Sequence, residues 1–466
     1  MVTALAAPVL TRLYAPHDFG IYAIALAVFN LIAAVVCLRY EMAIVLPRTN
    51  RSAVNVVALC VIVTVFMAFT ATLICLVSWM VLFLGRGPGL EWWAALLIPF
   101  GVLFQGGQQI LRFWCVRTRQ FSTITRMVLT QTLVTLGIQV AAGFFWGSDA
   151  GYLMLGTVVG LFCMVCVAWP GIRMSLPVSL LSAVRRSRVL AVAKRHRRFP
   201  VFSSPYNFVA QAAGRILLLI LAVFVPTATI GEFALAQRVV YLPVSVLTSS
   251  MSQVFYSRAV QHLGDLKLQQ FVVRIMVAGV LIFAPLVAIN FIFSQQLFQF
   301  AFGVRWAEAG QFAAYLGIAS AVISLTAWLD RVYDIHGRQL LALLLEAGND
   351  VFSLGALALV MYVTRNAVSG IVGYSLATVA FYMLWTYVTF RIAKFPAKFF
   401  GTFLVAIAAS ATFVALSGVI VVALTPNRFL QGMLFVALNV PVLVAGIRIG
   451  RNGLSQRETA FASIHI

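Results

Sequence analysis

The sequence predicts an all-α polytopic membrane protein: two six-helix lobes around a central cavity, followed by two further helices. Three observations carry this. The composition is 62% hydrophobic and 10% charged, with a mean hydropathy of +1.00, which is membrane-like rather than soluble. Apolar runs of spanning length recur from end to end. Positive charge then falls in alternate gaps. Of the 33 Lys and Arg, 26 lie in one alternating set of loops and the C-terminal tail. Arg12, Arg86, Arg305, Arg365 and Arg428 lie in the other set, while Arg215 and Arg238 fall inside apolar runs. By the positive-inside rule the richer side, with the C-terminus, is cytoplasmic.

The elements follow in order. The opening MVTALAAPVL is too short to span and lacks a basic leader, so it reads as the second half of a first helix, over 1–11. The next spans are expected at 19–38, 53–84, 92–114, 126–146 and 150–170. After a basic linker they resume at 201–225, 234–256, 271–301, 310–329, 339–362 and 369–390, and end with 400–424 and 429–447. That makes about fourteen, the first truncated, at roughly 20–25 residues each. The domains are therefore an N-terminal lobe over 1–170, a cytoplasmic linker over 171–200 and a second lobe over 201–391. Two extra helices fill 392–447, and a cytoplasmic tail fills 448–466.

An internal repeat supports two lobes. FGIYAIA at Phe19–Ala25 matches IGEFALA at Ile230–Ala236, each opening the second span of its half. Arg112 is followed seven residues on by Arg119-Gln120, as Arg331 is by Arg338-Gln339. The offsets are 211 residues for the glycines and 219 for the arginines, as two homologous halves with altered loops would show. Six spans per half makes the halves parallel in the membrane.

Composition and motifs also exclude classes. A net charge of +21 invites nucleic acid, but the positives are spread over cytoplasmic loops, where anionic headgroups attract them. No nucleic-acid partner is expected. The longest gap, 171–200, is too short for a soluble catalytic domain and reads as basic surface. The five histidines are scattered, and no HExxH, P-loop or G-x-S-x-G occurs. The six cysteines sit in or beside apolar runs without a loop CxxC. The expectation is no enzyme, no cofactor, no metal and no disulfide framework.

Chemistry must then come from polar residues on the spans. Gln105, Gln108, Gln109 and Arg112 share one helix face, as do Asn207, Gln211 and Arg215. Arg238, Tyr241, Ser245, Ser249 and Ser252 drift around another, and Glu346, Asn349, Asp350 and Ser353 form a fourth. A charge at a helix centre costs about 2.5–3.5 kcal/mol on insertion scales, so these faces should point into the protein or a hydrated cavity. Interhelical hydrogen bonding is the alternative role. Arg215 has no acidic residue on its own helix; Arg238 has Glu232 close by. Glu346 and Asp350 either pair with these arginines or carry protons. Arg39 and Glu41 are a gate pair or an interfacial pair at the inner end of the second span. Arg12 is among the few outward positives and a candidate for drawing an anion outward.

Several segments are familiar in combination. TRLYAPHDFGIYAI, LRYEMAIVLPR, FPVFSSPYNFVAQ, GEFALAQRVVYLPVSVL, SQVFYSRAV and LFQFAFGVRWAEAG stand in the order expected of bacterial O-antigen and exopolysaccharide flippases. The chain resembles this polysaccharide biosynthesis family of the multidrug/oligosaccharidyl-lipid/polysaccharide (MOP) exporter superfamily from Thr11 to about Phe395. The truncated first helix departs from the pattern. The resemblance implies transfer of undecaprenyl-diphosphate-linked oligosaccharide across the bacterial inner membrane by alternating access. The product would feed lipopolysaccharide, capsule or exopolysaccharide synthesis. It also implies membrane lipids and a glycan polymerase as partners. A diphosphate favours arginine, and a glycan favours amide and hydroxyl faces. A cation-coupled multidrug exporter of the same superfamily is the alternative. It would need membrane carboxylates, which the first six spans lack away from their boundaries.

Overall fold

In lipid a long apolar run can satisfy its backbone internally only as a helix or a closed barrel. Among the described residues every regular element is helical. The structure is a computed structural model that describes residues 6–84, 92–175, 184–262, 265–425 and 428–455. The expected outward loop at 85–91, the middle of the basic linker and the tail beyond 455 lie outside the described residues.

The helices are α1 (Ala7–Leu13), α2 (Pro16–Ala33), α3 (Asn50–Leu84), α4 (Trp92–Arg117), α5 (Phe121–Phe145) and α6 (Ala150–Ser175). The linker contributes α7 (Arg186–Arg195). There follow α8 (Ser204–Phe224), α9 (Thr227–His262), α10 (Leu266–Phe302), α11 (Ala309–Thr326) and the short α12 (Arg331–Ile335). The last are α13 (Gln339–Thr364), α14 (Ala367–Ile392), α15 (Ala397–Leu424) and α16 (Arg428–Ser455). Twelve described helices are long and apolar enough to cross a membrane, where the sequence suggested about fourteen. The shortfall has a plain origin. α1 is seven residues long. α4 has the length, at 26 residues, but its Gln105–Arg112 face lowers its hydropathy. With 35 and 37 residues, α3 and α10 exceed a perpendicular span and must tilt or project beyond the bilayer.

Several boundaries differ from expectation: α5 begins at Phe121 rather than 126, α9 spans Thr227–His262 rather than 234–256, and α16 runs to Ser455 rather than 447. The sequence places the second span at 19–38, yet α2 ends at Ala33. The chain then turns through left-handed backbone at Leu38 (φ 48°) and Arg39 (φ 62°) into a 3-10 turn, Tyr40–Val45. Apolar character continues through this stretch, so hydropathy gives no stop signal.

The chain divides into two compact units, residues 1–234 and 235–466. In the first, α5 and α6 form a hairpin, α4 packs on α3 and α6, and α2 packs on α4, α6 and α8. Its core holds Phe29, Val36, Ile44, Val102, Trp114 and Met164. Gly156 and Gly160 of α6 let it approach α5 closely, because a methyl there would strike Gln139 and Thr135. The two repeat glycines also meet within this unit. A methyl on Gly20 would strike the Thr227 carbonyl, and one on Gly231 would strike the Pro16 carbonyl. Each obstructing carbonyl lies four residues before the other glycine, so α2 and the start of α9 cross symmetrically.

In the second unit α10 packs on α11, α15 and α16, and the α13–α14 hairpin packs on α11 through α14. Phe255, Met276, Trp328, Phe390 and Phe403 form its core. A cavity of about 920 Å³ between α10, α11 and α15 is walled by apolar side chains such as Phe283, Phe291, Leu325 and Val419. Large apolar residues, including Phe66, Leu133, Val223 and Val363, remain exposed, as expected of surfaces solvated by lipid.

Candidate functional site

The first group of polar residues gathers at the end of α2. The last carbonyls of a helix have no intrahelical partner, and here distant side chains supply one. Gln109 Nε2 of α4 donates to the Ala33 carbonyl at 3.2 Å, and Asn207 Nδ2 of α8 donates to Ala34 at 2.8 Å. The structure thus brings Gln109 and Asn207 to one place and gives their amides a structural task. Gln105 Nε2 donates to Gln108 Oε1 at 3.3 Å, and Gln108 is buried. Gln211 is exposed. Arg215, one turn further along α8, is half-buried, and its buried Nε has no hydrogen-bond partner among the described residues. Arg12, in the last turn of α1, is exposed.

The 3-10 turn beyond α2 holds the second pair. Arg39 Nη1 stands 3.8 Å from Glu41 Oε1. The Glu41 side chain is 3% exposed against 28% for Arg39, and its Oε2 lacks a hydrogen-bond partner among the described residues. Burial pushes the Glu41 carboxyl above its ordinary range, and a hydrogen bond from its own backbone, with Arg39 after it, offsets this only in part. At 3.8 Å the pair is close enough to couple and too long for a strong bridge.

The other two candidate carboxylates lie in the second unit. Glu346 and Asp350 lie one turn apart on α13, the first exposed and the second half-buried. Asn349 Nδ2 approaches Asp350 Oδ1 at 3.5 Å, and Ser353 Oγ donates to Asn349 Oδ1 at 3.4 Å. Thr378 Oγ1 of α14 donates to Ser353 Oγ at 3.0 Å. Tyr374 and Tyr382 of α14 lie within electrostatic reach of these carboxylates. The sequence reading missed Tyr374, Thr378 and Tyr382. Their i, i+4, i+8 spacing is the signal that would have found them.

On α9, Arg238 is half-buried. Ser245 and Ser249 return their hydroxyls to their own helix, at Leu242 (2.8 Å) and Val246 (3.0 Å). Ser252 instead accepts from Arg331 Nε at 2.9 Å, and Arg331 Nη1 donates to Asp334 at 3.0 Å. Arg331, a repeat marker in the sequence, therefore ties α9 to the start of α12.

The arrangement offers separate amide, guanidinium and carboxylate groups on membrane helices, which suits a transporter better than a reaction centre. The solved structures agree on the fold. The chain resembles "Lipid II flippase MurJ, inward closed conformation" with a TM-score of 0.66 and 12% identity, covering 97% of each chain. It also resembles "Inward-facing conformation of a multidrug resistance MATE family transporter of the MOP superfamily". There the TM-score is 0.64 at 12% identity, over 85% of this chain and 95% of the other. At such identity the likeness is one of fold. No curated protein matches the sequence. Fold and spans together define a multi-pass membrane protein with the architecture shared by these two transporters. Within that class the chain belongs to the polysaccharide biosynthesis protein family, whose profile matches residues 9–311.

Proposed function

We propose that the chain flips an undecaprenyl-diphosphate-linked oligosaccharide across the bacterial cytoplasmic membrane by alternating access, supplying lipopolysaccharide, capsule or exopolysaccharide synthesis. The family match over residues 9–311 is the observation that carries this reading. A fold shared with a protein named a lipid II flippase supports a lipid-linked substrate. Arg215 supports an anionic one: a half-buried guanidinium with an unpartnered Nε suits bidentate binding of a diphosphate. Arg238, Gln105, Gln108 and Gln211 would contact the glycan diphosphate, with Arg12 drawing the head group outward. Glu346 and Asp350 would couple or gate, as would Arg39 and Glu41. In this reading the lobes are 1–170 and 201–391, the C-terminus is cytoplasmic, and a glycan polymerase takes the product.

A cation-coupled multidrug exporter is the second reading. It is favoured by the Glu346–Asp350 pair and by the MATE neighbour's fold. Purified chain in vesicles, tested with lipid-linked oligosaccharide and with a cationic dye, separates the two. Translocation of the glycolipid without dye transport is expected; dye transport alone would overturn the flippase reading.

A further inference from the structure

Between Asp149 and Glu232 the sequence contains no acidic residue, and the middle of this stretch folds as α7. One side of α7 is fixed to the first unit. Val189 is buried in its core, with Val184, Val192 and Ala193 packed alongside. Tyr40 donates its hydroxyl to the Ala193 carbonyl at 3.3 Å, and the Arg185 backbone N–H donates to Asn55 Oδ1 at 3.4 Å. The other side is basic. Arg185, Arg186 and Arg188 are exposed at its start. Lys194, Arg195, Arg197 and Arg198 are exposed at and beyond its end.

Its position sets the partner. A candidate membrane span begins at Phe199, directly after Arg198, and Val201 and Phe202 at its start are 57% and 70% exposed. The basic strip therefore lies at the headgroup level, anchored beside apolar side chains that face lipid. It runs along about 15 Å of helix, with exposed charges at both ends. A single diphosphate would need converging donors, whereas a strip this long matches several headgroups side by side.

We propose that α7 and its flanks form a docking surface for the anionic phospholipid headgroups of the adjacent leaflet, independent of which substrate the chain transports. The apolar side holds the helix in register with the first unit, so the charges are presented on a fixed platform rather than on a free loop. Binding is electrostatic and weakens as salt rises.

The test uses the purified full chain in detergent, titrated with phosphatidylglycerol or phosphatidylcholine, with bound lipids counted by native mass spectrometry. Wild type should bind phosphatidylglycerol at least ~10-fold more tightly at low salt. In R186Q/R188Q/K194Q/R195Q the preference should vanish. A control, R391Q/K394Q/K398Q, should retain it. An unchanged unfolding temperature in phosphatidylcholine shows that the quadruple variant is folded. The proposal fails if wild type shows no preference at low salt, whatever the variants do. It also fails if the quadruple variant keeps the preference or the control loses it equally. Stoichiometric displacement of phosphatidylglycerol by inorganic diphosphate would make the strip a substrate-capture site and overturn the lipid assignment.

Discussion

Arg215 concentrates the chemistry of α8 in one side chain. A guanidinium offers a planar fork to phosphate, whereas Lys offers a point charge. Charge-assisted hydrogen bonds contribute about 1.5–3 kcal/mol, so Arg215→Ala should reduce glycan export ~10- to 100-fold with normal membrane insertion. Arg215→Lys should recover it in part. Export by the Ala variant at the wild-type rate would return Arg215 to a packing role. Glu41 carries a pH signature. Its folded carboxyl titrates above its unfolded value because it is buried, so the neutral form is favoured on folding. That contribution is present at low pH and is lost as pH rises through the folded value. Glu41→Gln should therefore flatten the fall in unfolding temperature between acidic and neutral buffer, seen as a wild-type curve dropping away from the variant. Parallel curves would mean that Glu41 is not the titrating group. Individual site residues were only partly legible in the sequence. The Gln and Asn faces were visible by spacing. That Gln109 and Asn207 serve the carbonyls of Ala33 and Ala34 was not, because the need arises from where a third helix stops.

At the scale of the element, the crossing of α2 and α9 is tightly constrained packing in the first unit. Both obstructing atoms are backbone carbonyls, which cannot swing aside as a side chain tip can. Gly20→Ala or Gly231→Ala should each destabilise the protein by about 1–3 kcal/mol through overpacking, read as a lower unfolding temperature. Once one methyl has separated the helices, the second should cost little, so the double variant should fall well short of the sum. Strict additivity would show that the two glycines occupy independent sites. The glycine pair was legible here because close approach demands the smallest residue at both positions. The end of α2 was not legible. Neither Gly nor Pro marks the turn at Leu38 and Arg39, and the stretch stays apolar because Val36, Cys37 and Ile44 are buried in the core. Helices such as α13 and α14 fell close to their expected limits, since charge and turn residues bound their apolar runs on both sides.

For the whole molecule, orientation and cargo are the two quantities that matter. From the positive-inside rule we expect α7 and the C-terminal residues on the cytoplasmic side. Cysteine introduced at Ser187 and at Ser455 should resist a membrane-impermeant thiol reagent added from outside and react after permeabilisation. Labelling of either site in intact cells would reverse the topology. The class of fold was legible from composition, apolar run length and charge alternation, because the bilayer imposes all three on any polytopic chain. The cargo is less legible, since no catalytic signature is needed to move a glycolipid and the contacts are spread over several helices. The most direct test of the flippase reading is the glycan content of the lipid carrier in cells lacking this gene, measured by mass spectrometry of extracted undecaprenyl diphosphates. A defined oligosaccharide should accumulate on the carrier and disappear on re-expression of the chain, but not of its Arg215→Ala form. An unchanged carrier pool, with cells newly retaining cationic dyes, would contradict glycan flipping and point to drug export.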